Sequence, residues 1–100
     1  MIRDKMINRE ILFKKIVRFL KKQGARKIAV FGSYIRREET PGSDIDIIVE
    51  FSERKSLLEL VRIERELSEV LGRKVDLMTK KSISPYLIDS IEREMMVIYG

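Results

Sequence analysis

Alternation between apolar and polar positions divides the first half of the chain into four segments. Residues 4–23 carry apolar side chains at the three- and four-residue spacing of a helix, and Gly24 follows as a stop signal. Residues 28–31 are continuously apolar, which predicts a buried strand. We expect a short helix over residues 33–38 and, from its composition, a loop over residues 40–43.

The second half predicts two more strands and two more helices. Residues 44–51 alternate, so that apolar side chains fall on one face of a strand and two aspartates on the other. A capping box at Ser56 predicts a helix that ends at Gly72. Residues 74–78 read as a third strand, and Ser84 followed by proline opens a last helix.

These segments predict an α/β (α+β) protein with the order α-β-α-β-α-β-α. We expect a small mixed sheet of about three strands flanked by helices, with residues 96–99 as a final extended piece on the core. One hundred residues form one domain, residues 1–100. The apolar stripe of the last helix is expected to pack on the core, and a docking face is the alternative; it comprises Ile88, Ile91 and Met95.

The composition restricts the chemistry that this chain can perform. It has no cysteine and no histidine, so thiolate or imidazole catalysis and Cys-based zinc sites are excluded. Carboxylates remain, and they select hard cations such as Mg²⁺ or Mn²⁺. With no apolar run long enough to cross a bilayer and no signal-peptide pattern, the expected location is cytoplasmic.

The charge of the chain is basic, with a net value of +5 and a pI near 9.6. The lysines and arginines are interleaved with acids, so an anionic nucleotide or an acidic protein partner explains the charge as well as nucleic acid does. This spread disfavours a dedicated nucleic-acid surface.

A glycine-serine turn after the first strand is the first candidate for function. Gly32 lets the backbone approach a phosphate, and Ser33, as helix N-cap, places N–H donors beside it. Alone, such a turn is common. Arg36, about one helical turn later, either reaches the phosphates or is a surface arginine.

Three aspartates supply the second candidate. Asp44 and Asp46 fall on one strand face, where a divalent cation would relieve their repulsion, and the alternative is two solvated acids at a strand start. Asp76 lies within an otherwise apolar strand, as a third ligand or as a solvent-facing edge residue. Three convergent carboxylates suit two metal ions.

The combined motif resembles the minimal nucleotidyltransferase family of the polymerase-β-type superfamily. The matching residues are Phe31-Gly32-Ser33-Tyr34-Ile35-Arg36, Ser43-Asp44-Ile45-Asp46 and Val75-Asp76-Leu77. The resemblance spans almost the whole chain and implies the nucleotidyltransferase fold. The family often has glycine after the arginine, where this chain has Arg37.

The resemblance also implies roles for these residues. Gly32, Ser33, Arg36 and Ser43 would bind the nucleotide, and the metal ligands and catalytic acids would be Asp44, Asp46 and Asp76. Two Mg²⁺ ions, or Mn²⁺, would serve transfer of AMP from ATP to a hydroxyl, with release of pyrophosphate. Small members of the family act as antitoxins beside HEPN-type toxins, and some add AMP to a tyrosine of the toxin.

The length of the chain favours an acceptor group that another protein presents, because few residues remain for a second domain that would enclose a small acceptor. Further walls of the acceptor site could come from a second copy of the chain in a homo-oligomer. The main alternative is a non-catalytic binding module that neutralises its partner by forming a stoichiometric complex. A nucleic-acid-binding domain is a weaker alternative.

Overall fold

The computed structural model describes residues 2–32 and 44–100, with side chains from residue 9 onward. Three helices are present in this part: α1 (Ile2–Lys22), α2 (Leu57–Leu71) and α3 (Pro85–Glu94). The strands are β1 (Ala25–Phe31), β2 (Ile45–Phe51), β3 (Val75–Met78) and β4 (Met96–Tyr99), and a 3₁₀ turn spans Lys80–Ser82. The predicted short helix and loop over residues 33–43 lie outside the described residues.

The four strands form one mixed sheet in the order β3-β2-β1-β4. β1 pairs antiparallel with both β2 and β4, whereas β2 and β3 are parallel and connected through α2. The sequence predicted about three strands, and the sheet has four. The difference is the extended piece at residues 96–99, which does more than pack on the core because its backbone pairs with β1.

A single apolar core lies between α1, α2 and one face of the sheet. The helices contribute four fully buried side chains, and alternate strand positions contribute the rest; the central members are Ile16, Leu20, Ile63, Leu67, Ile28, Val30, Ile45, Ile47, Val49 and Val75. Alternation along β2 then places Asp46 and Ile48 on the opposite face. The two faces of the sheet therefore differ in composition.

The predicted boundaries of α2 are confirmed by its two ends. The backbone N–H of Glu59 donates to Ser56 Oγ at 3.2 Å, and the Ser56 N–H donates to Glu59 Oε1 at 3.2 Å. This second bond, which favours the ionised carboxylate, lowers the pKa of Glu59 from its ordinary value of 4.5. At the other end Gly72 adopts the left-handed conformation.

The last helix begins as predicted, with Ser84 as N-cap and Pro85 as its first residue. Its predicted packing is only partly observed. Ile88, Ile91 and Met95 are half-buried rather than buried, and none belongs to the core cluster. α3 is thus a peripheral element, with Tyr86 93% exposed at its start.

No helix within residues 2–32 and 44–100 is both long and apolar enough to cross a membrane.

Candidate active site

The ends of three strands meet at one edge of the sheet, the edge that runs across the strand termini and not along an outer strand. β1 finishes there, and β2 and β3 begin there, because β1 runs against β2 while β3 runs with it. Asp46 is the residue that links all three strands. It lies opposite Phe31 of β1 on one side and opposite Asp76 of β3 on the other.

Asp46 and Asp76 face each other in register across β2 and β3. Side chains of in-register residues share a face, and adjacent strands are about 4.8 Å apart, so these two carboxylates lie side by side. The helix-facing neighbours Ile45, Ile47 and Val75 are buried in the core. The acids therefore occupy the face that α1 and α2 leave uncovered, as the sequence predicted.

Gly32 lies directly beside Asp46. It follows the last residue of β1 with a φ of +78°, a conformation that residues with a side chain rarely adopt. A Cβ at this position would overlap Oδ2 of Asp46 and would lie 3.2 Å from its Cγ. The space that a side chain would need is filled by the Asp46 carboxylate, so glycine allows the turn and the acid to coexist.

Asp44 stands two residues before Asp46, just outside β2. Its Oδ2 lies 3.7 Å from Nζ of Lys74, the residue that precedes β3. The two side chains are 42% and 71% exposed, respectively, so water screens this ion pair and its stabilising effect is small. An ion pair this weak leaves Asp44 available to another cation.

The residues of this edge fit a divalent metal by their chemistry. Asp44, Asp46 and Asp76 offer carboxylate oxygens, which are the ligands that Mg²⁺ and Mn²⁺ prefer. Within residues 9–32 and 44–100, however, no three acidic side chains are already grouped closely enough to hold an ion. The register thus places Asp46 opposite Asp76, while Asp44 pairs with Lys74, and convergence of the three acids on a metal stays a prediction.

Three further predicted site residues lie outside the described residues: Ser33, Arg36 and Ser43. Their roles as nucleotide-binding groups stay predictions. The described part of the predicted site consists of Gly32 and the three aspartates.

The structure adds contacts that sequence reasoning missed. Lys74 pairs with Asp44, and two polar side chains of α2, Glu64 and Ser68, bond to the backbone of β3. The only signal for the latter was their spacing of four residues on the helix side that also carries Ile63 and Leu67. Such spacing places two groups on one face without indicating what they contact.

This arrangement agrees with a family match over most of the chain. Residues 11–98 match the model of the nucleotidyltransferase domain. The chain belongs to the nucleotidyltransferase family. The match includes Gly32 and all three aspartates, so the edge described above is the candidate active site of a nucleotidyltransferase.

Two relatives link this nucleotidyltransferase to protein adenylyltransferases. A Methanocaldococcus jannaschii protein, provisionally named a protein adenylyltransferase, is 53% identical over 81 residues, which cover 81% of this chain and 87% of that protein. The protein adenylyltransferase MntA of Thermococcus cleftensis is 41% identical over 75 residues, covering 75% of this chain and 76% of that protein. By its domain and these relatives, the chain is an enzyme of the nucleotidyltransferase family that resembles protein adenylyltransferases.

Solved structures show the same fold. A toxin–antitoxin crystal structure with AMP-PNP matches with a TM-score of 0.80 and 26% identity, over 88% of this chain and 73% of that chain. The structure of a tri-AMPylated Shewanella oneidensis HEPN toxin in complex with an MNT antitoxin matches with a TM-score of 0.76 and 23% identity, over 92% and 72% of the respective chains. The second likeness establishes the fold alone.

Proposed function

We propose that this nucleotidyltransferase transfers AMP from ATP to a tyrosine hydroxyl of a HEPN-type toxin and thereby acts as the antitoxin of a toxin–antitoxin pair. The observation that carries the chemistry is the in-register pair of Asp46 and Asp76 beside Gly32. Two relatives support a protein acceptor and an ATP donor, namely a protein adenylyltransferase and a toxin–antitoxin complex with an ATP analogue. The tyrosine comes from the family resemblance. A cytoplasmic location, where ATP and the toxin would both be present, completes the proposal.

In the proposed reaction the acceptor oxygen forms a bond to the α-phosphorus of ATP. The bond between that phosphorus and the oxygen bridging to the β-phosphorus breaks, and pyrophosphate leaves with the electron pair. A carboxylate oxygen of Asp76 takes the proton of the acceptor hydroxyl. The α-phosphoryl group gains a protein oxygen and loses the pyrophosphate oxygen, so the exchange balances.

Asp44, Asp46 and Asp76 would hold Mg²⁺ in this site. When bound, the metal neutralises charge on the phosphates and favours the ionised form of the attacking oxygen. The chain's own contribution is to keep Asp46 and Asp76 adjacent on a rigid sheet and to keep the approach open through Gly32. Asp44 would give up its ion pair with Lys74 and bind the ion instead.

Transfer of label from α-³²P-ATP to the protein encoded next to this gene, with Mg²⁺ present, tests the proposal. We expect wild type to label the neighbour, and Asp44→Ala/Asp46→Ala to fail. The matched control is Glu53→Ala/Asp89→Ala, which removes two exposed acids outside the site and should label as wild type does. Mass spectrometry of the labelled neighbour would then locate the tyrosine.

No label with any of the four nucleoside triphosphates, despite a stable complex, would contradict the catalytic proposal. Label on the neighbour from the double aspartate variant would contradict the assigned site. Either result is distinct from failure of the variants to fold, which thermal melting of the same samples detects.

The second candidate function is a binding module that neutralises its partner without chemistry. A groove of about 740 Å³ between α1 and β4 favours it, because its floor is apolar and its rim basic. Four cations and one acid accompany the apolar side chains, and the lining comprises Lys14, Arg18, Lys21, Lys22, Glu10, Phe13, Val17 and Ile98. This charge pattern complements an acidic, partly apolar segment of a toxin.

The two candidates predict opposite results for the aspartate variant. If binding alone neutralises the toxin, Asp44→Ala/Asp46→Ala still protects cells, and Lys14→Glu/Arg18→Glu does not. If transfer is required, the aspartate variant fails to protect although it still forms the complex.

A further inference from the structure

The outer edge of β3 is closed by two side chains of α2. β3 is the last strand of the sheet on this side, so its outward N–H groups have no neighbouring strand to bond. Ser68 Oγ accepts from the Val75 N–H at 3.0 Å, and Glu64 Oε2 accepts from the Leu77 N–H at 2.9 Å. Both bonds are partly buried, which protects them from competition by water.

The spacing of these two acceptors matches the spacing of the two donors. Residues four apart on a helix are separated by about 6.0 Å along its axis, and residues two apart on a strand by about 6.6 Å. α2 and β3 run in opposite directions through the turn at Gly72, so the later helix residue meets the earlier strand residue. Two parallel rows of groups therefore meet without distortion of either element.

Ser68 is itself fixed. Its hydroxyl donates to the backbone carbonyl of Glu64 at 2.9 Å while it accepts from Val75. The proton position of the hydroxyl is thus determined, and the lone pair is directed at the strand. These two bonds together favour a single orientation of the Ser68 hydroxyl.

Asp76 is the residue between the two clamped positions. On its inner side β3 is paired in register with β2 from Val75 to Met78. The α2 bonds hold the outer side at both flanking residues, so the backbone of Asp76 is fixed from two directions. Its carboxylate, on the uncovered face, keeps its place beside Asp46 as a result.

We propose that Glu64 and Ser68 are positioning residues for the active site, which set where the Asp76 carboxylate stands relative to Asp46. This rests on the proposed role of Asp76 in nucleotidyl transfer. The alternative is that the two side chains only cover a sheet edge, in which case their loss would affect stability and leave metal binding and turnover unchanged.

Three variants and one control separate these roles. Glu64→Ala and Ser68→Ala each remove one acceptor, Glu64→Gln keeps an amide oxygen where the carboxylate was, and Glu69→Ala removes an exposed acid from the same helix. For each, we would measure amide hydrogen exchange at Leu77 and Val75 by NMR and Mn²⁺ affinity by calorimetry in the protein alone. Steady-state kinetics of AMP transfer to the neighbouring gene's protein would follow.

We expect Glu64→Ala to expose the Leu77 amide to exchange and to weaken Mn²⁺ binding. Its kcat should fall about ten- to hundred-fold, the range for an active-site group displaced by up to about 1 Å, while KM for ATP stays near wild type. Ser68→Ala should act in the same direction at Val75. Glu64→Gln should recover most of both properties, and Glu69→Ala should match wild type.

Two results would overturn the proposal. One is increased exchange at Leu77 in Glu64→Ala with Mn²⁺ affinity and kcat equal to those of Glu69→Ala, which would leave only an edge-covering role. The other is a Glu64→Gln variant as impaired as Glu64→Ala, which would assign the effect to charge. If wild type transfers no nucleotide, the proposed function fails, and the exchange and Mn²⁺ measurements still decide the positioning role.

Discussion

The two faces of the sheet differ in what fills them. On the helix-covered face, Ile47, Ile63 and Leu67 are fully buried, and every member of the core cluster is apolar. On the other face, Asp46 and Asp76 lie side by side next to a glycine that has no room for a side chain. One set of strands thus serves stability through one face and, in the proposed function, chemistry through the other, which is possible because successive side chains alternate.

The largest change in stability should come from the helix-covered face. Leu67→Ala removes a fully buried side chain and should lower the free energy of unfolding by about 2–5 kcal/mol. Transfer activity per folded molecule should stay near wild type, because Leu67 lies in the core cluster, on the side of the sheet opposite to Asp46 and Asp76. Urea denaturation combined with activity at a temperature where the variant is folded would measure both. A large loss of specific activity would mean that the faces are not separable.

Gly32→Ala should lower both the stability of the fold and the transfer activity. The left-handed backbone and the overlap with Asp46 should together lower the free energy of unfolding by about 1–3 kcal/mol, and transfer should be lost. Thermal melting and the label-transfer assay would measure these effects.

Gly72→Ala is the matched control for that substitution. Gly72 also has a left-handed φ, of +67°, but a Cβ there would meet nothing within 4 Å. It should lose stability through backbone strain alone and keep its activity. Equal loss of activity in both variants would show that the contact with Asp46 is not what matters at Gly32.

The cap of α2 should contribute a smaller effect on the helix side. Ser56→Ala removes the acceptor of the Glu59 N–H and should lower the free energy of unfolding by about 1 kcal/mol at neutral pH. Because the fold lowers the pKa of Glu59, the stabilising effect of its carboxylate is present above the ordinary pKa of 4.5 and is lost as pH falls through the lowered pKa. The Ser56 side chain also lowers this pKa, after the larger effect of the Ser56 backbone N–H, and Ser56→Ala removes only the side-chain part. Urea denaturation should therefore show a smaller difference between the two proteins at pH 3 than at pH 7.

The smallest effect should have the opposite sign. Asp76→Asn removes one of two like charges on adjacent in-register residues, so the free energy of unfolding should rise by about 0.2–1 kcal/mol while transfer falls. Asp89→Asn, an exposed acid on α3, is the control and should change neither. Reduced stability of Asp76→Asn would indicate that the fold uses this carboxylate as a bonded group.

Local signals predicted most of the elements. The capping box at Ser56, the left-handed Gly72 and the Ser84-Pro85 start depend on neighbours within four residues, and all three are confirmed. The first strand was predicted from residue 28, whereas β1 begins at Ala25. Arg26 and Lys27 precede the apolar run as charged residues, which hid the start of the strand. Ala25 and Lys27 pair with Phe51 and Glu50 of β2, and Arg26 lies at an irregularity of the register between them.

Contacts between segments that are distant in the sequence could not be predicted from the pattern of apolar and polar residues. The alternation of residues 44–51 and 74–78 predicted that their aspartates avoid the core, but not that Asp46 would stand opposite Asp76. The edge position of β4, the contact of Asp44 with Lys74 and the bonds from α2 to β3 are likewise non-local. A homo-oligomer and a single domain over residues 1–100 stay predictions.

The register of β2 on β3 also has a consequence for folding fidelity. If β3 slipped by one residue, its alternation would invert, and the Asp76 carboxylate would point under α2 into the apolar core. Burying an unpartnered carboxylate there would be prohibitively unfavourable, so the misregistered sheet is selected against during folding. The same carboxylate that is proposed to serve catalysis would thereby disfavour an incorrect alignment of β3 on β2.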